Sequence, residues 1–154
     1  MLESTPMYTS PSKHPDDSTM KDIYHPLFDT YDVDLLFSSD NHNYQRTFPL
    51  KYNSNADNSN PIIIDNNQDY YNNNLDNTGA IYLITGPAER SHYAIEGQTP
   101  FVAKQDNKHF GFLNIGINGD TLEVTFYANK PQPNYNYMDA QNKIIDQFTI
   151  SKID

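Results

Sequence analysis

The sequence predicts an α+β domain with strands in the majority. Three features carry that expectation. Apolar residues recur at helical spacing over 18–31, a short continuous apolar run over 33–38 follows directly, and alternating segments flank Asn118-Gly119. A continuous apolar run fed by a helix is the pattern of a buried parallel strand. Asn-Gly between alternating segments is the strongest short-range signal for a hairpin. One helix and one parallel strand, then an antiparallel meander, is the expected layout.

Residues 1–17 are rich in Pro, Ser, Thr and Asp and are expected to form a loop. In the helix that follows, Ser18 is the expected N-cap, and Met20, Ile23, Tyr24, Leu27, Phe28 and Tyr31 share one face. Pro26 falls inside this pattern and is expected to kink or tighten the helix near His25. The helix, the strand at 33–38 and a loop behind it make up 18–51. Residues 52–78 are dominated by Asn, Asp, Ser and Tyr and are expected to be an insertion, broken by Pro61-Ile62-Ile63-Ile64 as a short edge strand. From 79 to 154 antiparallel strands are expected: 80–85, stopped by Gly86-Pro87, then 110–117, 121–128 and 144–152. The last should place Ile144, Phe148 and Ile150 on one face.

Composition narrows the function. The 154 residues suit one domain, and with 12 Tyr and 8 Phe burial leans on large rings. A formal net charge of −10 repels phosphate backbones and anionic lipid, so nucleic acid is excluded as a partner. No stretch approaches about 18 consecutive apolar residues, so no membrane insertion is expected. The absence of Cys removes disulfides, thiolate ligands and cysteine nucleophiles. No Asn-x-Ser/Thr triplet occurs, and the first residues have neither the basic nor the apolar segment of a signal peptide.

The informative stretch runs Val33-Asp34-Leu35-Leu36-Phe37-Ser38-Ser39-Asp40-Asn41-His42-Asn43-Tyr44-Gln45-Arg46-Thr47. It resembles the last metal-binding block of calcineurin-like metallophosphoesterases, in particular the purple acid phosphatase branch. That block reads Val-Asp-Leu-Val-Phe, then Ser-Gly-His-x-His, then x-Tyr-Glu/Gln-Arg. Pro6-Met7-Tyr8-Thr9-Ser10 is similar to the family's upstream His-x-Pro-x-Tyr loop, and Gly79-Ala80-Ile81-Tyr82-Leu83-Ile84-Thr85-Gly86 to its later strand and glycine turn. His109-Phe110-Gly111-Phe112-Leu113 and Ile145-Asp146-Gln147-Phe148-Thr149-Ile150 resemble its closing strands. The resemblance implies the carboxy-terminal, β-rich half of a metallophosphoesterase αββα sandwich.

It also implies a site. A loop at the carboxyl end of a parallel strand is where such sheets bind ligands. Two residues at i and i+2 there can reach two metals about 3.5–4 Å apart, which clamp a phosphoryl group. In the family these are histidines serving a pair of divalent or trivalent ions, iron, zinc or manganese. His42 falls on the second histidine, Asp40 replaces the first, Ser39 replaces the preceding glycine, and Ser4 stands where the upstream histidine belongs. Asp40 remains a legitimate oxygen ligand. The family's other ligands belong to a first half not contained in these residues. His42 and Asp40 are therefore the metal candidates, with at most one weakly bound ion expected. Arg46 and His92 are the candidates for substrate phosphate, Arg46 having an ion pair with Asp34 or Asp40 as its structural alternative. Tyr44 is expected in the core, and His14, His25 and His109 at the surface or in packing.

The expected function is a phosphate ester hydrolase fragment, a pseudoenzyme when alone. The alternative is a non-catalytic module that binds a partner protein, and a third possibility is a site rebuilt with a second chain. Half a sandwich should expose Leu35, Leu36, Phe37, Ile81, Leu83 and Ile84, with an unpaired edge at 33–38. A homo-oligomer or a complex with another subunit is therefore expected, burying that edge. By resemblance alone the location is extracytoplasmic.

Overall fold

Asp17, rather than Ser18, caps the helix. Its carboxylate accepts the Met20 N–H at 3.0 Å, and Ser18 is already the first residue of α1, Ser18–Thr30. The helix continues through Pro26 and ends where Asp32 turns left-handed (φ 50°) and the Val33 N–H returns to the Phe28 carbonyl at 3.0 Å. The computed structural model describes residues 2–55, 60–73, 78–86, 91–129 and 143–152.

The buried face of α1 differs from the expected one. Lys21, His25 and Phe28 are buried, whereas Ile23, Leu27 and Tyr31 are exposed. Polar groups can be buried here because each has a partner. Lys21 Nζ pairs with Asp16 at 2.7 Å and lies over the Tyr8 ring. His25 Nδ1 meets the Tyr8 hydroxyl at 2.7 Å, and its Nε2 faces the Leu50 carbonyl at 3.3 Å.

The strands are β1 (Leu2–Glu3), β2 (Leu35–Ser38), β3 (Tyr44–Thr47), β4 (Leu50–Lys51), β5 (Ile62–Ile63), β6 (Tyr70–Asn72), β7 (Ile81–Thr85), β8 (Val102–Asp106), β9 (Phe110–Asn118), β10 (Thr121–Asn129) and β11 (Lys143–Ser151). A five-stranded mixed sheet runs in the order β1-β2-β7-β3-β8, a four-stranded sheet in the order β6-β11-β10-β9, and β4 pairs with β5. Within the first sheet β1, β2 and β7 are parallel, while β3 is antiparallel to both of its neighbours. In the second, β9, β10 and β11 form the expected meander, and β6 joins in parallel.

The two sheets pack face to face, with Tyr44 of β3 stacked on Phe126 of β10 at 4.3 Å. On the opposite face of the first sheet, Tyr82 meets Tyr8 and His25 of the helix layer. The result is helix on sheet on sheet, a β-rich α+β arrangement as predicted.

Five expectations need correction. Residues 81–85 lie beside β2 in the mixed sheet, not in the antiparallel one. The unpaired edge expected at 33–38 is closed in part, since β1 pairs with Phe37 and Ser38 on the side away from β7. The patch expected beside it is largely covered by the chain itself: Leu36, Ile81, Leu83 and Ile84 are buried, and Leu35 and Phe37 half-buried. Ile144 does not share a face with Phe148, because a register shift between Phe126 and Tyr127 sets it opposite Tyr127, 49% exposed. Finally, the Asn-rich stretch is more than an insertion. Its Ile62–Ile63 is the expected short strand, but Tyr70–Asn72 enters the meander sheet and buries Tyr71.

Candidate functional site

β1 and β2 run parallel and end together, so the residues after them share one edge of the sheet. The Ser4 carbonyl accepts the N–H of Asp40 at 2.8 Å and that of Ser39 at 3.3 Å. Thr5 Oγ1 donates to Asp40 Oδ2 at 3.5 Å. The positions expected to hold two metal-ligating histidines are thus brought side by side, occupied by Ser4 and Asp40. Among the described non-glycine residues the positive φ belongs to Asp32, so Ser39 carries no torsion that calls for glycine.

Alternating residues of the loop and of β3 anchor it. Asn41 is fully buried, accepting the His14 N–H at 2.9 Å and donating to the His14 carbonyl at 2.8 Å. Asn43 Nδ2 donates to Ser12 Oγ at 3.0 Å. Gln45 accepts the Ser10 N–H at 2.7 Å and donates to Thr9 Oγ1 and to Asn43. This amide ladder stitches the loop to residues 9–14. Sequence reasoning missed it, although amides at every second position were the available signal.

His42 sits between two of these anchors and is half-buried. Its ring lies flat on Tyr93, with centroids 4.1 Å apart and planes 11° from parallel. Nδ1–H donates to the Ser91 carbonyl at 3.4 Å, and the His42 carbonyl accepts the Tyr93 N–H at 3.0 Å. With Nδ1 as donor, the neutral ring keeps its lone pair on Nε2. Histidines that bind metals are commonly held this way, by a carbonyl on the other nitrogen. Lys13 completes the rim, with Nζ 4.4 Å from the Tyr93 ring centre and 3.2 Å from its hydroxyl.

The phosphate candidates diverge. His92 turns away and packs on Phe110 at 4.2 Å; its neighbours Glu89 and Arg90 lie outside the described residues. Arg46 points between the sheets, 1% exposed, and its partner is Asp146 rather than Asp34 or Asp40. Nε donates to Oδ2 at 2.6 Å and Nη2 to Oδ1 at 3.0 Å, while further donors reach the Tyr71 hydroxyl and the Gln68 carbonyl. Burial disfavours the guanidinium charge, but Asp146 outweighs that and holds its pKa above the usual arginine value. Asp34 pairs instead with Lys152 at 3.0 Å.

No group of three or more His, Asp or Glu able to hold a metal occurs among the described residues. His42 and Asp40 supply one nitrogen and one carboxylate, which does not fit a two-metal centre. No helix among the described residues is long and apolar enough to cross a membrane.

In fold, this helix–sheet–sheet sandwich resembles a metallophosphoesterase. The chain is similar to the purple acid phosphatase PPD1 from yellow lupin (Lupinus luteus) seeds, with a TM-score of 0.74 and 20% identity over 98% of this chain and 24% of that one. In sequence it is similar to two uncharacterized proteins of Mycobacterium tuberculosis, MT2654 of strain CDC 1551 / Oshkosh and Rv2577 of strain ATCC 25618 / H37Rv. Each is 30% identical over 86 residues, which cover 55% of this chain and 16% of the relative. No protein-family model matches.

Proposed function

We propose that this chain is the metal-loop portion of a purple acid phosphatase-like phosphate ester hydrolase and that it does not turn over substrate by itself. The observation supporting this is the joined end of β1 and β2, where the ligand loop is built but Ser4 and Asp40 occupy the histidine positions. His42 alone keeps a histidine with a free Nε2, and Asp40 adds one carboxylate. A catalytic metal of this kind takes about three protein ligands. One imidazole and one carboxylate bind at most a single ion weakly.

The test is hydrolysis of p-nitrophenyl phosphate by the purified chain with iron, zinc or manganese added. The expected result is no metal-dependent turnover. Turnover that depends on metal and is lost in His42→Ala overturns the proposal.

A second reading is favoured by the sheet order. β1 is the outer strand of the mixed sheet, and no described strand pairs with its far side. A partner polypeptide adding strands there, with the remaining ligands, rebuilds the centre beside Asp40 and His42. Metal-dependent turnover appearing only when such a polypeptide is supplied supports this reading.

A further inference from the structure

The other sheet carries a longer edge, with which no described strand pairs. β9 is the outer strand of the meander sheet, nine residues with neither proline nor charge: Phe110-Gly111-Phe112-Leu113-Asn114-Ile115-Gly116-Ile117-Asn118. Proteins usually blunt such an edge with lysine, proline or a bulge. Here the pairing with β10 is regular from Phe110 to Asn118, and Phe112, Ile115 and Ile117 are 49%, 41% and 74% exposed.

From this we infer that β9 is the interface of a two-fold dimer, pairing antiparallel with β9 of a second copy about an axis at Asn114. The strand is complementary to itself in that register. Leu113 falls opposite Ile115 of the second copy, and Ile115 opposite Leu113, extending the apolar inner face across the axis. On the other face Phe112 falls opposite Gly116, above which nothing lies within 4 Å of where a Cβ would sit. An aromatic ring covering a glycine across an edge is a known stabilising pair. The turn supplies the backbone groups. With Gly119 and Asp120 as a two-residue loop, Asn118 and Thr121 form the hydrogen-bonded closing pair. Alternation then points the N–H and C=O of Leu113, Ile115 and Ile117 outward, toward one another in the dimer.

Charge selects the second copy. In a chain of net charge −10 an uncharged edge is where two copies approach with least repulsion. An interface of this kind is isologous and closes at two chains. It stands apart from the hydrolase proposal and from the β1 edge.

Sedimentation equilibrium of the full chain at micromolar concentration tests it. The expected species is twice the 17.7 kDa chain. Ile115→Pro removes an outward N–H without breaking a bond to β10, and should give a monomer with an unchanged far-UV spectrum. Ile117→Lys puts a charge on the edge at an exposed position and should weaken association about 10-fold. If Ile115→Pro unfolds the chain, Ile117→Lys decides. A monomeric wild-type chain, or a dimer indifferent to Ile115→Pro or to Ile117→Lys, overturns the inference.

Discussion

Arg46 and Asp146, 100 positions apart, meet through two parallel hydrogen bonds in the space between the two sheets. Both are buried, and Asp146 also accepts the Tyr44 hydroxyl at 2.7 Å. The pair fixes β3 against β11. Removing Asp146 strands a buried guanidinium, so Asp146→Ala should cost about 3–5 kcal/mol in urea unfolding. A loss below about 1 kcal/mol would mean that the pair opens to water.

His42 is oriented by Ser91 and Tyr93, and the predicted consequence is its tautomer. In nitrogen-detected NMR the neutral ring should carry its proton on Nδ1, leaving Nε2 bare. In Tyr93→Ala the ring loses its stacking partner and should shift toward the Nε2–H form that prevails in water. A wild-type ring already protonated on Nε2 removes the ligand-like orientation on which the metal candidate stands.

Periodicity and turn chemistry made much of this fold legible. The 18–30 helix, the strand after it and the Asn118-Gly119 hairpin announce themselves locally, and the hairpin register follows from its two-residue turn. What stayed hidden depends on distant partners. β3 reads Tyr-Gln-Arg-Thr, a polar sequence, yet all four residues are buried because Asp146, Tyr71, Ser10, Thr9 and the Tyr82 N–H satisfy them. Val102–Asp106 carries too little apolar pattern to suggest β8, and it is held by its register with β3. The buried stripe of α1 was missed for the same reason, since Lys21 and His25 go inside only with Asp16 and Tyr8 waiting. Resemblance singled out His42 and Asp40 as candidates, but nothing local indicated that Arg46 turns into the core.

Burial of tyrosines sets the alkaline limit of stability. Burial raises the Tyr71 hydroxyl to about 12, against the pull of Arg46, and holds those of Tyr8, Tyr44 and Tyr82 higher still. Each folded value lies above the ordinary 10.0, so the folded chain retains protons that the unfolded chain releases. The stabilisation is complete below pH 10 and is lost as pH climbs through 12. Urea midpoints should hold steady from pH 8 to about 10 and fall steeply above it, with phenolate absorbance from these residues appearing only on unfolding. Midpoints flat to pH 12 would show that these hydroxyls ionise freely in the folded state.

Gly86 follows β7 directly beneath the candidate site, and it is needed for space rather than for torsion. Its φ is not among the positive values, but a Cβ there runs into the carbonyl oxygens of Asn41 and Ser39. Its N–H donates to the Asn43 carbonyl at 3.3 Å, so glycine and loop are held in contact from both directions. Backbone cannot yield as the end of a side chain can. Gly86→Ala should therefore push the 39–41 loop outward and cost about 1–3 kcal/mol, the range for overpacking a tight interior. The displacement should reach Asp40 and His42 while leaving the far sheet alone. Amide shifts should accordingly concentrate in 39–43 and 91–93, with 110–129 unchanged. A Gly86→Ala chain of wild-type stability and an undisturbed 39–43 spectrum would mean that this loop floats free of β7, and the joined end of β1 and β2 would no longer position His42.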